Sequence, residues 1–211
     1  MLTITTPAGD LQLLAIDEMR ELAGVVGNGS DTSLQRLGLR IAADICAECN
    51  VAIGAGAPPT LKRETVTETF RGVSAEVLIL SRRHEVLITS IVVDGDTLAG
   101  ADYEVDSESG IVTRLDGDVP VAWAADKIVA VYQAGFTAVP GDLAHAAADL
   151  FRFTWREKGR DPSVKGERVS VPDVEDREVS YWAGSLPGMG EGAVPDFVSG
   201  QLGRFRNYAV G

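Results

Sequence analysis

Two parts of the chain carry apolar residues at the three-to-four-residue spacing of an α-helix. In the first part, this spacing predicts a short helix over residues 15–26 and a longer one from Thr32 to Ile53, with Thr32 and Gln35 placed as a capping box. In the second part, it predicts a third helix over residues 142–158. Each long helix has an apolar face that needs cover, so we expect the third helix to pack on the second.

Between these helices the pattern changes to the two-residue alternation of β-strands. The expected strands lie in ETVTETFRG, AEVLILS, EVLITSIVVDG, ADYEVDS, IVTRL and DKIVAVYQAGF, with a turn at Gly110 between the fourth and fifth. Short turns between successive strands predict a compact, mostly antiparallel unit.

The order of these elements predicts an α+β fold, a small helical bundle with an inserted, mostly antiparallel β unit and an extended C-terminal tail. The expected segments are 1–56 for the N-terminal segment and helices, 57–138 for the inserted β region, 139–160 for the helix that packs back, and 161–211 for a C-terminal arm. Within the arm, a strand or hairpin near Glu167–Val171 and a helical turn near Asp173–Trp182 both fit the pattern.

Negative charge is concentrated in the middle of the chain. The formal net charge is −12, and residues 84–126 hold ten acidic side chains against one basic side chain, Arg114. Such a surface does not neutralise phosphates, so specific binding to nucleic acid is not expected. The N-terminus shows no secretory signal and no apolar run has the length of a membrane span, so we expect folding in the cytosol without a membrane.

Few residues could support catalysis or bind a metal. Cys46 and Cys49 have no second cysteine pair, and His84 and His145 lie far apart, so no metal site is predicted. Both cysteines fit the helical spacing and are expected to be buried thiols. No phosphate-binding glycine loop, nucleophile elbow or EF-hand spacing occurs. We therefore predict no catalytic residue and no cofactor, with a cysteine-dependent enzyme as a remote alternative.

A series of short motifs lies between residues 103 and 143. In order, they are Tyr103-x-Val105-Asp106, Gly110, Arg114, Val131-Tyr132-x-Ala134-Gly135-Phe136, Pro140 and Leu143. Each motif is structural and unspecific alone, but their order and spacing resemble the head–tail connector (adaptor) proteins of tailed bacteriophages and gene transfer agents. The resemblance spans roughly residues 10–158.

The resemblance implies a structural virion protein without catalytic residues. Such adaptors form a ring, typically of twelve copies, under the portal, where they extend the DNA channel. For this chain it implies three partners: the portal protein, a stopper or tail-completion protein, and further copies of itself. DNA would only pass through the channel. The expected location is the virion neck, after assembly in the host cytoplasm.

A stopper or tail-completion protein, one layer below the adaptor, is the alternative within the same class. The long N-terminal helices favour the adaptor, because stopper proteins tend to be small β-barrels.

The C-terminal stretch combines glycines with aromatic residues. Residues 181–211 hold seven glycines and five of the thirteen aromatic residues. Its candidate binding residues are Tyr181, Trp182, Phe197, Val198, Leu202, Phe205 and Tyr208. Burial of the four large apolar side chains between 197 and 205 contributes on the order of 6–12 kcal/mol. That is less than the cost of ordering residues 185–211 at about 1 kcal/mol or more each.

We therefore expect the tail to pair with a partner through its backbone as well. The resemblance implies that this partner is the portal. A neighbouring copy and the chain's own domain are the alternatives.

A candidate acidic face consists of Asp102, Glu104, Asp106 and Glu108. Lining the channel, it would repel passing DNA, although screening limits that repulsion to about 8–10 Å. On the outer rim it would serve docking or solubility, which is the placement we favour. The sequence leaves both placements open.

Overall fold

The computed structural model describes residues 1–157, 166–171, 175–180 and 194–207. Over these residues the fold is α+β, as predicted, with antiparallel sheets. The chain divides into two compact units. The first consists of Met1–Gln12, Cys49–Gly141 and Phe205–Gly211, and the second of Leu13–Glu48 and Asp142–Arg204.

The described strands of the first unit form two antiparallel sheets. They are β1 (Leu2–Thr6), β2 (Glu64–Ala75), β3 (Val77–Ile79), β4 (Leu87–Val93), β5 (Asp96–Thr97), β6 (Tyr103–Asp106), β7 (Ile111–Asp116), β8 (Val119–Val121) and β9 (Trp123–Ala134). The larger sheet has the order β1-β2-β9-β4-β5. The smaller sheet has the order β3-β7-β6, with β8 paired to β7.

Strand β9 is the central strand of the larger sheet. It pairs with β2 from Trp123 opposite Ala75 to Ala134 opposite Glu64, and with β4 on its other side. Its inward side chains are buried, among them the fully buried Trp123 and Tyr132. The Trp123 indole N–H donates to the Val112 carbonyl at 3.1 Å, which satisfies its polar group inside the core.

A close backbone crossing follows the end of β9. Gly135 has φ +93°, and a Cβ atom there would lie 2.4 Å from the carbonyl oxygen of Lys62. The neighbouring Phe136 N–H donates to the Leu61 carbonyl at 2.8 Å, and Gly135 N–H donates to the His84 carbonyl at 2.9 Å. Only glycine combines this backbone conformation with so close an approach.

The second unit contains the helices. Its described elements are α1 (Ile16–Ala23), α2 (Asp31–Glu48), α3 (Gly141–Glu157, which starts at the last residue of the first unit), the hairpin β10 (Gly166–Val171) and β11 (Glu175–Ser180), and α4 (Asp196–Ser199). A 3₁₀ helix, Gly200–Phe205, continues from α4 and ends at the residue where the first unit resumes. Between α1 and α2, Arg20 Nε donates to Asp31 Oδ1 at 2.8 Å, and this hydrogen bond lowers the pKa of Asp31.

Most of the predicted elements are confirmed, with shifted ends. Helix α2 ends at Glu48 rather than Ile53, and strand β1 was not predicted. The predicted capping box is wrong, because the Ser30 carbonyl already accepts from Leu34 N–H at 3.0 Å, so Thr32 lies inside the first turn. A hairpin, and not a helical turn, occupies 166–171 and 175–180.

Two further findings concern the helices. Cys46 and Cys49 are both buried, as their spacing predicted. Within the described residues, no helix has the length and apolar character to cross a bilayer.

Substituting Gly135→Ala tests the close crossing. We expect about 1–2 kcal/mol of strain from the left-handed backbone, with a further cost of about 1–3 kcal/mol from the clash with Lys62. Gly117→Ala is the matched control, because Gly117 has φ +62° and nothing within 4 Å of the added carbon. Urea unfolding of both variants measures the difference, and equal losses would contradict the clash.

Candidate assembly surfaces

The C-terminal segment, defined here as residues 194–207, is helical over most of its length. Val198, Leu202 and Phe205 follow one another by four and three residues, and all three are buried. Phe197 lies one residue out of this phase, and its side chain is 53% exposed. The helical period therefore turns three of the predicted binding residues inward and leaves Phe197 at the surface.

Polar contacts hold residues 199–204 within the second unit. The Ser199 hydroxyl donates to Glu48 Oε1 at 2.7 Å, on α2. On α3, Gln201 Nε2 donates to Asp149 Oδ2 at 3.1 Å, and Arg204 Nε lies 2.9 Å from Asp142 Oδ2. The segment is thus bonded to both long helices of its unit.

Residues 205–207 belong to the first unit. The Phe205 ring packs edge-on against Phe136, with centroids 5.8 Å apart, and against His84 at 5.9 Å. His84 in turn stacks on Phe136 at 4.9 Å. These three rings form a closed aromatic cluster around the end of the 3₁₀ helix.

Asn207 fixes the chain just after this cluster. Its backbone N–H donates to the Cys49 carbonyl at 2.8 Å. Its side-chain amide donates to the Asn50 carbonyl at 3.2 Å and to the Ser81 carbonyl at 3.3 Å. The position of residue 207 is therefore set by hydrogen bonds to two separate segments of the first unit.

The loop from Ser81 to Glu85 receives the end of the C-terminal segment. Two of its residues, His84 (φ 69°) and Glu85 (φ 47°), have the left-handed conformation that is uncommon outside glycine. Arg63 Nη2 bonds Glu85 Oε2 at 2.6 Å on one side. Such a conformation persists only where its surroundings hold it firmly.

A buried polar network supplies that support. Arg82 Nη2 lies 3.0 Å from Glu64 Oε1, with both side chains almost fully buried, and Arg82 Nη1 donates to the Thr60 carbonyl at 3.3 Å. Arg82 N–H donates to the Tyr132 hydroxyl at 3.2 Å, which itself donates to Glu68 Oε2 at 2.8 Å. Burial raises the pKa of Glu64, although the charge of Arg82 opposes the rise.

A small cavity lies beside this network. Its volume is about 10 Å³, room for about one water molecule, and its lining includes Glu64, Arg82, His84 and Asn207. The described residues contain no group of three or more His, Cys, Asp or Glu arranged to hold a metal ion. The hydrogen bonds of this part of the first unit hold the Ser81–Glu85 loop and residues 205–207 in place.

The acidic side chains of the β region lie at the surface of the first unit. Glu104, Asp106 and Glu108 are exposed, and Asp102 is partly buried. Two of them organise local turns. Asp106 accepts from the Ser109 hydroxyl at 2.7 Å and from Glu108 N–H at 3.0 Å, and these bonds lower its pKa. Asp102 accepts from Ala99 N–H at 2.9 Å.

The predicted binding residues therefore divide into three groups. Tyr181, Trp182 and Tyr208 lie outside the described residues. Val198, Leu202 and Phe205 are buried in their own chain, and Phe197 is exposed. The proposal that the seven residues bind a partner stays a prediction.

Sequence reasoning missed His84 and Phe136 as the contacts of Phe205. Phe205 lies 121 residues beyond His84, and no local pattern links residues that far apart.

Comparison with known proteins gives a fold match. No family model matches this chain, and no curated protein matches it. Among solved structures, it is similar to a chain in the neck of an empty gene transfer agent particle, computed with C6 symmetry. The two share 16% sequence identity at a TM-score of 0.57, over 100% of this chain and 97% of the other. At this identity, the similarity establishes a shared fold.

A matched pair of substitutions tests the burial of the C-terminal segment. Phe205→Ala should lower the free energy of unfolding by about 3–5 kcal/mol, because it empties a fully packed aromatic position. Phe197→Ala, on the same segment, should cost less, about 1 kcal/mol, because the side chain is half exposed and loses mainly its contact with the Phe153 ring. Urea unfolding measures both, and similar losses would show that the segment is not packed as described.

The pH dependence of stability tests the placement of His84. Burial lowers its pKa, as does the charge of Arg83, while hydrogen bonds to Glu108 and to the Phe205 carbonyl partly oppose the shift. As the pH falls through about 6.5, His84 therefore becomes protonated in the unfolded chain while it stays neutral in the native state. Stability should fall as pH decreases below 6.5, until the lowered native pKa is passed.

His84→Asn is the variant for this test, since asparagine tolerates positive φ. Its stability should fall less between pH 7 and pH 5 than that of the unsubstituted chain, as measured by urea unfolding at each pH. The titration of Glu64 changes the stability of both proteins in the same way, so it cancels when their pH profiles are compared. Parallel pH profiles would mean that His84 is not held neutral.

Proposed function

We propose that this chain is a structural subunit of the neck of a tailed phage or gene transfer agent particle. In this role it forms a ring that joins the portal to the stopper or tail proteins and extends the DNA channel. The observation that carries the proposal is the shared fold with a gene transfer agent neck chain over the full length of this chain. The order of sequence motifs gives independent support.

Features of the first and second units favour a structural role over an enzymatic one. Cys46 and Cys49 are 2% and 0% exposed, so a substrate could not reach either thiol. The hydrogen bonds that Arg82 and Asn207 make within the protein hold a loop and residues 205–207 in place. Both observations favour a structural role in an assembly.

The helices support an adaptor over a stopper. Helices α2 and α3 have 18 and 17 residues, and the C-terminal segment is bonded to both. A stopper built as a small β-barrel would have no need of a helical unit of this size. In our proposal the helical unit forms the body of the ring.

The acidic β region is proposed as a docking or solvent-facing surface. Eight of the ten acidic side chains between residues 84 and 126 are exposed, so like charges repel DNA wherever they approach it. DNA would then pass the ring without specific contacts. The virion neck is the location that follows from these roles.

Native mass measurement of this chain, mixed with the portal protein from the same genome, tests the proposal. We expect a discrete complex with about one copy per portal subunit. Absence of this complex, together with binding to the protein that follows in the neck, would overturn the adaptor role and favour a stopper.

Point substitutions test the tail as the portal contact. Removing residues 185–211 would also remove the buried Val198, Leu202 and Phe205, so a truncated chain that fails to bind could simply be misfolded. Trp182→Ala combined with Tyr208→Ala leaves those anchors in place and should weaken the complex. Unchanged binding would remove the tail residues from the contact and leave the adaptor role standing.

A further inference from the structure

The second unit carries an open groove with an exposed aromatic floor. It has a volume of about 440 Å³ and is lined by Asp149, Arg152, Phe153, Arg156, Glu157 and Phe197. Phe197 is 53% exposed and touches the Phe153 ring edge-on, with centroids 6.1 Å apart. Phenylalanine and arginine are both enriched in protein interfaces, which distinguishes this surface from an ordinary solvated helix face.

Two guanidinium groups flank this floor. Arg152 and Arg156 are four residues apart on α3, so their Cβ atoms are about 5–6 Å apart. Arg152 is half exposed although it lies 3.6 Å from Asp149. Within the described part of the chain, no residue pairs with Arg156.

Both acidic side chains of the groove already make contacts within the chain. Asp149 accepts from Gln201 at 3.1 Å and also lies 3.6 Å from His145 Nε2. Glu157 has a contact of its own as well. By formal charge its two carboxylates balance its two guanidinium groups, so the groove offers an aromatic surface beside the exposed guanidinium groups of Arg152 and Arg156.

A face of the first unit has the opposite character. Two rows of side chains cross the outer side of the smaller sheet, from β3 through β7 to β6. One row is Ile79, Ile111 and Asp106, and the next is Val77, Thr113 and Glu104. Alternation sends Leu78 and Val112 inward to the core. The outer face thus combines an aliphatic half, whose Val77, Ile79 and Ile111 are 36–40% exposed, with an edge of two carboxylates.

The two surfaces match in spacing as well as in chemistry. Glu104 and Asp106 are two residues apart on one strand, which separates them by about 6.6 Å. This is close to the separation of Arg152 and Arg156 along the helix. An aliphatic patch beside two carboxylates therefore complements an aromatic patch beside two guanidinium groups, and their contact would remove both patches from water.

We propose that the groove of one copy of this chain binds the outer sheet face of a second copy. Arg156 and Arg152 face Glu104 and Asp106, and Phe197 lies on Ile79 and Ile111. The contact joins two different surfaces, so it leaves a free groove and a free sheet face at the ends of every open oligomer, and contacts of this type generate a ring when the rotation between copies closes. The inference rests on the proposed ring and names its subunit contact.

Charge reversal at one pair provides the sharpest test. Arg156→Glu makes the groove repel the sheet face, and Glu104→Lys does the same from the other side. Both residues are exposed and without a described partner, whereas Asp106 holds a turn and Arg152 lies beside Asp149. Self-association is measured for the full chain by sedimentation at low salt, from about micromolar to about millimolar concentration.

Each variant alone should self-associate at least about tenfold more weakly than the unsubstituted chain. An equimolar mixture of the two should regain association, because in alternating copies the acidic groove of one variant meets the basic sheet face of the other, and the remaining contacts are unsubstituted. Phe197→Ala should weaken association without this rescue. Arg36→Glu and Asp118→Lys are controls that make similar charge changes at exposed positions elsewhere, and they should behave as the unsubstituted chain does.

Four outcomes would overturn the inference. Three are an unsubstituted chain that stays monomeric throughout, variants that associate normally, and a mixture that is not rescued. The fourth is loss of association in the controls, since it would show a general effect of charge. The portal protein is absent from this experiment, so its failure is distinguishable from failure of the portal complex that tests the proposed function.

Discussion

The buried pair of Arg82 and Glu64 is the constraint on which the first unit depends. Removing two charges from water costs several kcal/mol each, and their attraction offsets this only when geometry and further hydrogen bonds are good. Here the Thr60 carbonyl accepts from the Arg82 guanidinium, and the Tyr132 hydroxyl of β9 accepts from the Arg82 backbone N–H and donates to Glu68 of β2. The ion pair with Glu64 and these bonds tie the loop that carries Arg82 to β2, to β9 and to the segment before β2.

The same network explains why a strained loop can hold the chain end. His84 and Glu85 keep left-handed backbone because Arg82 is fixed before them and Gly135 bonds the His84 carbonyl beside them. The loop in turn offers the His84 ring to Phe205 and the Ser81 carbonyl to Asn207. Residues 205–207 are thus positioned by polar groups buried far from them in sequence, and not by their own aromatic character alone.

The spacing of apolar residues predicted the helices and strands whose pattern is local. It did not predict the contacts between residues that lie far apart in the sequence. Helix α3 and strands β2, β4 and β9 follow from the spacing of their apolar residues. The same spacing grouped Phe197 with Val198, Leu202 and Phe205, whereas the structure buries the last three and leaves Phe197 53% exposed. Strand β1 was missed because five residues carry a weak pattern, and its pairing partner β2 lies some sixty residues later. The ring cluster around His84 and the groove around Phe153 had no local signature, since each is assembled from segments that only tertiary packing brings together.

Two chains that share 16% identity can share a fold because few positions fix it. Gly135 must be glycine, the inward residues of β9 must be apolar, and Arg82 needs its acidic partner, but the exposed residues of α3 and of the smaller sheet carry no such requirement. Surfaces therefore diverge faster than the core that positions them. A partner's identity must then be inferred from this chain's own exposed charges and rings. Among these, Arg156 and Glu104 have no partner within the described structure, and about half of the Phe197 side chain stays exposed. Exposed side chains that stabilise no contact within their own chain, on elements that are otherwise well packed, are the ones available to bind another subunit.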